Sequence, residues 1–381
     1  MARHLILMGS GETSPTMIGV HRTSMASART CITLDTPYGF QENADELTSR
    51  VQRYFADSVG RTVMDVTVRD AESPARTAAV IESVRGADWA FAGPGSPTYA
   101  LRVWRDVAMA SVFDELLTRG TLVLASAAAL TAGRFTVPVY EMYKVGEDPH
   151  WRDGLDVLGR ATGMSAAVIP HFDNAEGGTH DTRYCYMGER RLAALEHLLP
   201  ADTFVLGIDE HTAVDFDLDA RVAHVLGRGS MTIRMGAREW KVPTGSAVTF
   251  DEIAEQAGTR LTAVSTSPAV AWSGADVEAL LDAGDVDAAV DALLALDGVE
   301  RDIETRSAVH ALVLRLGRLA ANPQTDPATI VGPYVEALLT ARASARAHGF
   351  WAEADEIRDR LTAMRVVVTD TKDGAVWSLQ T

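Results

Sequence analysis

Apolar residues along this chain fall first into short runs separated by helix-length amphipathic stretches. Towards the C-terminus they fall into helical spacing almost throughout. Five runs read as β-strands: His4–Met8, Thr30–Leu34, Val63–Val68, Asp88–Phe91 and Thr121–Ser126. Between them Glu42–Tyr54, Ala75–Val84 and Pro97–Met109 repeat apolar residues at three- and four-residue spacing, as helices buried on one face do. Strands that are apolar at nearly every position, alternating with helices of this length, predict a mostly parallel, doubly wound α/β sheet covered on both faces. Ligands of such sheets bind beyond the carboxyl ends of the strands. The segments to examine are therefore "GSGETSP", "DTPYGF", "AGPGSPTY" and "SAAA", which follow the first, second, fourth and fifth strands.

From Arg221 to Thr249 the period shortens. "VAHVLG", "SMTIRM" and "EWKVP" partly alternate and are separated by glycine-containing turns, which predicts antiparallel strands extending one edge of the sheet. Ser265–Ala275, "STSPAVAWSGA", is small, polar and proline-containing and reads as a linker. Helical spacing then returns over residues 274–298, Thr305–Ala321, Ile330–His348 and Trp351–Met364. The chain closes on "RVVVTDTKDGAVWSL", a hairpin with Asp373-Gly374 at its turn. The domain reading is an α/β unit over 1–260, a linker over 261–274 and a small helical unit over 275–381.

At 381 residues, two domains are the natural expectation, and 47% apolar with 23% charged residues is a globular balance. The opening "MARHLILMGSGE" reads as a first strand rather than a secretory leader. No run approaches the roughly 18 apolar residues of a membrane span. Cys31 and Cys185 are far apart and form no metal-type spacing, so the expectation is a reduced, cytoplasmic setting with no metal, no organic cofactor and no membrane. The formal net charge of -17 opposes nucleic acid at long range. The balance from Asp291 onwards is much milder, with 10 basic against 13 acidic residues.

Three stretches carry candidate chemistry. In "LVLASAAALTAG" (Leu122–Gly133) an apolar strand runs into Ser126 and then into small helix formers. A sharp strand-to-helix elbow needs small neighbours, which Ala125, Ala127, Ala128 and Ala129 supply, and the unpaired N–H groups at the helix start receive an oxyanion. Ser126 as a simple helix N-cap is the equal alternative. In "VIPHFDNAEGGTHDTRY", His171 follows an apolar strand at the same sheet edge. In "VLGIDEHTAVDF" another strand ends in Asp209 and Glu210. Serine, a base and an acid that orients the base make a nucleophile when brought together.

Taken together, these stretches resemble the serine peptidase family of dipeptidase E and cyanophycinase, which shares the fold of class I glutamine amidotransferases. "LASAAA" stands for the family's Gly-x-Ser-Ala-Gly-Ala elbow, "PHF" for its histidine stretch and "GPGSPTYAL" for the glycine turn before the elbow. "GIDEHTA" matches its Gly-Ile-Asp-Glu-x-Thr-Ala segment; "WRDGLDVL" and the arginine pair before Leu192 also fit. The resemblance spans residues 3 to 250. It implies Ser126 as nucleophile, His171 as its base, and the N–H groups of Ala127 and Gly95 as oxyanion donors. The orienting acid is Glu210 by one branch of the family and Glu141 by the other. Leu124 and Ala128 replace family glycines, and Ile169-Pro170 before the histidine argues against cyanophycin as substrate. The lengthened loop offers Asn174, Glu176, His180 and Arg183 as pocket residues or as loop polar groups bonded among themselves. Family substrates carry an aspartyl carboxylate or β-aspartyl linkage, so Arg183, with Asn174, is the substrate-binding expectation.

The tail, from "VEALLTARASARAHGFWAEADEIRDRL" to the closing hairpin, resembles the C-terminal helical region of cysteinyl-tRNA synthetase over residues 275 to 381. It keeps Arg342, Arg346, Ala354, Asp355, Ile357, Arg358, Asp359, Leu361, Asp370, Thr371, Gly374 and Trp377. The synthetase's His-x-Gly-His, Lys-Met-Ser-Lys and metal-binding cysteines are absent, which excludes a synthetase. Two function classes stand. One is a serine hydrolase acting on a small peptide-like or acyl substrate. The other is a non-catalytic RNA- or protein-binding factor on a disabled hydrolase scaffold. The tail implies either a tRNA partner or a packing module of a homo-oligomer.

Overall fold

A computed structural model describes residues 2–69, 74–236 and 238–262. Of the remainder it describes Val335, Leu339, Arg342, Arg358, Leu361, Thr362 and residues 366–371 and 374–379. The chain divides into two compact units, Met1–Thr266 and Ser267–Thr381. The linker expected over 261–274 and the helix over 274–298 lie almost wholly outside the described residues, as does the helix over Thr305–Ala321.

In the first unit the apolar runs become strands β1 (His4–Met8), β2 (Cys31–Leu34), β3 (Met64–Val66), β4 (Trp89–Ala92) and β5 (Thr121–Ala125). They are parallel, in the order β1-β5-β4-β2-β3. Each residue of β2, β4 and β5 is buried, as a sheet covered on both faces requires. The helix expected over Pro97–Met109 is two helices, Pro97–Asp106 and Met109–Leu117. Ala108 between them adopts φ +50, a left-handed conformation that no continuous α-helix contains.

A second sheet holds β6 (Phe135–Thr136), β7 (Arg152–Asp153), β8 (Ala166–Ile169) and β9 (Phe204–Ile208), with β8 and β9 parallel. Then come β10 (Thr212–Asp217), β11 (Val222–Gly227), β12 (Ser230–Met235), β13 (Arg238–Pro243) and β14 (Ala247–Thr249). These antiparallel strands do not extend a single edge. β10, β11 and β14 extend the first sheet beyond β1, whereas β12 and β13 extend the second beyond β9. The turn between β11 and β12 carries the chain from one sheet to the other. Pattern alone marks the strands, but pairing register assigns their sheet. Leu5, Leu7, Leu124, Leu206, Met231 and Ile233 share one core between the two sheets.

In the second unit the final hairpin is present, β15 (Val366–Thr371) against β16 (Gly374–Leu379). Val335, Leu339, Leu361 and Val366 are buried together, and Val368, Ala375 and Trp377 pack on them. Val335, Leu339 and Arg342, spaced four and three apart, are helical and buried, one face of a helix.

Candidate active site

Ser126 follows directly on β5. Its N–H donates to the Met8 carbonyl at 3.0 Å, continuing the β1–β5 pairing by one residue. Its backbone then turns to φ +52, ψ -117, a conformation of order 1–3 kcal/mol above the relaxed one for a residue with a side chain. The helix Ala127–Thr131 starts at the next residue. Ser126 sits at the N-cap position but makes no side-chain capping bond; its Oγ lies 2.9 Å from Nε2 of His171. Ala127, Ala128 and Ala129 are buried, and the Ala128 N–H donates to the Gly93 carbonyl. The methyl of Ala128, where glycine was expected, and the side chain of Leu124 are both accommodated in the main core.

His171 stands two residues beyond β8, and Glu210 two residues beyond β9. The parallel register, Ile169 beside Gly207, brings both to the same edge. Nδ1 of His171 lies 2.8 Å from Oε1 of Glu210. The same oxygen accepts the Asn174 side-chain N–H at 3.1 Å, and the Glu210 main-chain N–H donates to Asp173. Burial pushes the Glu210 carboxyl up, but the bonds from His171 and Asn174 and the charges of His171 and His211 outweigh it, holding it below the usual range. It is an anion at neutral pH. The carboxylate only accepts, so Nδ1 is the donor and Nε2 is left to accept the serine proton.

Glu141, the other acid, opens the helical turn Glu141–Val145. Its Oε2 is buried without a hydrogen-bond partner among the described residues, and it makes no bond to His171. Glu210 is the acid against the imidazole. Gly95 and Ala127 line the cleft beside Ser126, and neither N–H has a main-chain acceptor among the described residues. Gly95 has φ +146, and a β-carbon on it would lie 1.9 Å from the Pro37 carbonyl oxygen, so only glycine fits.

The cleft, about 490 Å³, is walled by Tyr140, Tyr143, Lys144, Glu176, Thr182 and Tyr186 besides the elbow and His171. The expectations for Asn174 and Arg183 need correction. Asn174 is 1% exposed and supports Glu210 instead of lining the cleft. Arg183 is outside the cleft. Its guanidinium is forked onto Asp181 at 2.9 and 2.8 Å and bonds the Tyr184 hydroxyl, and that pairing holds the Asp181 carboxyl far below the usual range. His180 stacks on Tyr143. Sequence reasoning missed the tyrosines, although "VYEMYK" and "RYCYM" are conspicuously aromatic. Tyr184, Cys185 and Tyr186 all have positive φ, a left-handed turn that shapes this wall. It also missed Glu12, whose carboxyl is buried beside the site and pushed up by that burial against the lowering charges of His171 and His211. Among the described residues no group of His, Cys, Asp and Glu has the arrangement of a metal site, and no helix is long and apolar enough to cross a membrane.

With this geometry in place, the likenesses to known proteins divide at the boundary between the units. Residues 331–377 match the family model of the cysteinyl-tRNA ligase anticodon binding domain. The cysteine–tRNA ligase of Arthrobacter sp. (strain FB24) is 47% identical over 81 residues, 20% of this chain and 17% of that protein. That of Pseudomonas aeruginosa (strain LESB58) is 39% identical over 89 residues, 21% of this chain and 19% of that protein. The chain thus spans less than a fifth of the curated relatives it matches. The crystal structure of a peptidase from an acI-B1 Actinobacterium covers 65% of this chain and 97% of its own length at 20% identity, with a TM-score of 0.52. That likeness is one of fold. The chain therefore combines a peptidase-like α/β fold with a cysteinyl-tRNA ligase-like C-terminal region, the two resemblances legible in its sequence.

Proposed function

We propose that the first unit is a serine-type hydrolase cleaving an amide or ester. Ser126 Oγ attacks the carbonyl while Nε2 of His171 takes its proton. Glu210 holds the imidazole in the required tautomer and stabilises the imidazolium that forms. The N–H groups of Ala127 and Gly95 receive the oxyanion. His171 returns the proton to the leaving group, and water, activated by the same imidazole, releases the acyl group from Ser126. The observation that carries this reading is the unbroken hydrogen-bonded series Ser126–His171–Glu210, at 2.9 and 2.8 Å. An intact series of this kind is also the argument against a disabled scaffold. A fluorophosphonate probe tests it: wild type is labelled and Ser126→Ala is not. A wild type left unlabelled where a control serine hydrolase reacts ends the proposal.

A second reading concerns the C-terminal unit. The match of residues 331–377 to an anticodon binding model favours a tRNA partner, which would set a hydrolase beside an aminoacylated RNA in the cytoplasm. Filter binding of bulk tRNA at physiological salt is the test. Retention that falls as salt rises supports it, and no retention removes it in favour of a packing module.

A further inference from the structure

The acyl group that enters the cleft meets a wall of tyrosines and one carboxylate. Glu176 lines this wall, and its Oε2 accepts the Tyr186 hydroxyl at 2.9 Å. Burial and the bond to Glu176 push the ionisation of Tyr186 far up, so the phenol keeps its proton and the carboxylate its donor. The Tyr186 ring lies 6.1 Å from the ring of His171 and 5.3 Å from that of Tyr143. The anchored carboxylate is thus one aromatic side chain away from the reacting imidazole. Tyrosine faces carry negative potential and hold cations. The wall already does so with its own lysine, whose Nζ sits 4.6 Å from the centre of the Tyr143 ring.

Among the described residues the ammonium of this wall, Lys144, has no hydrogen-bonded partner that fixes it as Tyr186 fixes Glu176. Arg183, the arginine nearest in sequence, is committed to Asp181 outside the cleft. Lys144 and Glu176 are both exposed, but Glu176 is fixed by the Tyr186 hydroxyl, whereas Lys144 rests on the Tyr143 ring at the end of a flexible stem. The chain's net charge of -17 adds a field that gathers cations and repels anions.

We propose that the cleft selects acyl groups with a positively charged side chain, of the lysyl or arginyl type, held between Glu176 and the face of Tyr186, the Tyr143 ring being already occupied by Lys144 and His180. This rests on the serine hydrolase reading and runs against the aspartyl preference that the family resemblance implies. The test is competition for fluorophosphonate labelling of the full chain by the amides of lysine, leucine and aspartic acid, which share the α-ammonium and differ in side-chain charge. L-lysinamide slows labelling at a concentration at least tenfold below that needed of the other two. Glu176→Gln abolishes that advantage, read against the variant's own labelling rate without competitor: lysinamide then slows labelling no better than leucinamide. Aspartyl or leucyl amide competing as well as lysyl amide, or an advantage that survives Glu176→Gln, overturns the inference and leaves the hydrolase intact. A wild type that never labels removes the hydrolase reading and this selectivity with it.

Discussion

Gly9, the first residue after β1, faces Asp209 so closely that a β-carbon on it would lie 2.1 Å from the Asp209 carbonyl oxygen. This is where the carboxyl edges of the two sheets meet. Met8 pairs with Ala125, the residue before Ser126, and Asp209 precedes Glu210. The approach of Gly9 to Asp209 therefore sets the separation of the serine from the acid that orients its base. Gly9→Ala is expected to push the edges apart, costing about 1–3 kcal/mol of stability by overpacking and slowing fluorophosphonate labelling at least tenfold. Thermal melts and labelling rates check it; an unchanged rate at reduced stability would show that the joint is structural only.

The two candidate acids separate cleanly by substitution. Glu210→Gln keeps the shape but allows the amide to donate, which disfavours the tautomer with a proton on Nδ1. Labelling and turnover should fall by roughly 10²–10⁴. Glu141→Gln should leave both within threefold of wild type. Equal losses for the two variants would contradict the assignment of Glu210.

Stability should respond to pH through His21. This histidine is fully buried among Tyr54, Phe55, Trp89 and Phe91, donates from Nε2 to the Glu12 carbonyl at 2.7 Å, and has its pKa lowered to about 4 by burial. Between about 6.5 and 4 the unfolded chain binds a proton here that the folded chain refuses, so stability is lost as pH falls through that window, by about 3 kcal/mol in full. Burial pushes the carboxyls of Asp65 and Asp209 up to about 6, and these act oppositely, gaining stability as pH falls from there towards the ordinary carboxylate range. The comparison that isolates His21 is urea unfolding of wild type and His21→Leu at pH 7 and pH 5. The variant should lose less between the two. Equal losses would refute the assignment.

Much of this site is legible in the sequence, and the reasons lie in local chemistry. Ser126, His171 and Glu210 each follow an apolar run, and chain ends of parallel strands share one edge. The small residues around Ser126 mark the bend. What sequence leaves open is whatever depends on which segments meet. Glu141 and Glu210 are both carboxylates after the elbow, and only the β8–β9 register picks one. Arg183 has the chemistry of a carboxylate binder, yet Asp181 captures it before any substrate. The tyrosine wall joins residues 140–144 to residues 176–186 across the cleft, and neither segment reveals the other. The assignment of β12 and β13 to the second sheet likewise comes from pairing, not from pattern.

The backbone of Ser126 makes the last prediction. At φ +52 and ψ -117 a side chain is strained and glycine is not, so the nucleophile is held at a cost to the fold. Ser126→Ala keeps the strain and Ser126→Gly releases it. Glycine also loosens the unfolded chain, which takes back about 0.4–1 kcal/mol of the roughly 1–3 kcal/mol released. The net expectation is that Ser126→Gly is more stable than Ser126→Ala by about 1 kcal/mol, with neither variant labelled. An ordinary helix N-cap also prefers glycine to alanine, so wild type is the deciding reference: relief of strain makes Ser126→Gly more stable than wild type, whereas at an ordinary cap it is less stable by roughly a few tenths of a kcal/mol. A Ser126→Ala chain as stable as Ser126→Gly in chemical denaturation would mean that the elbow stores no strain and that the site's readiness to react comes from His171 and Glu210 alone.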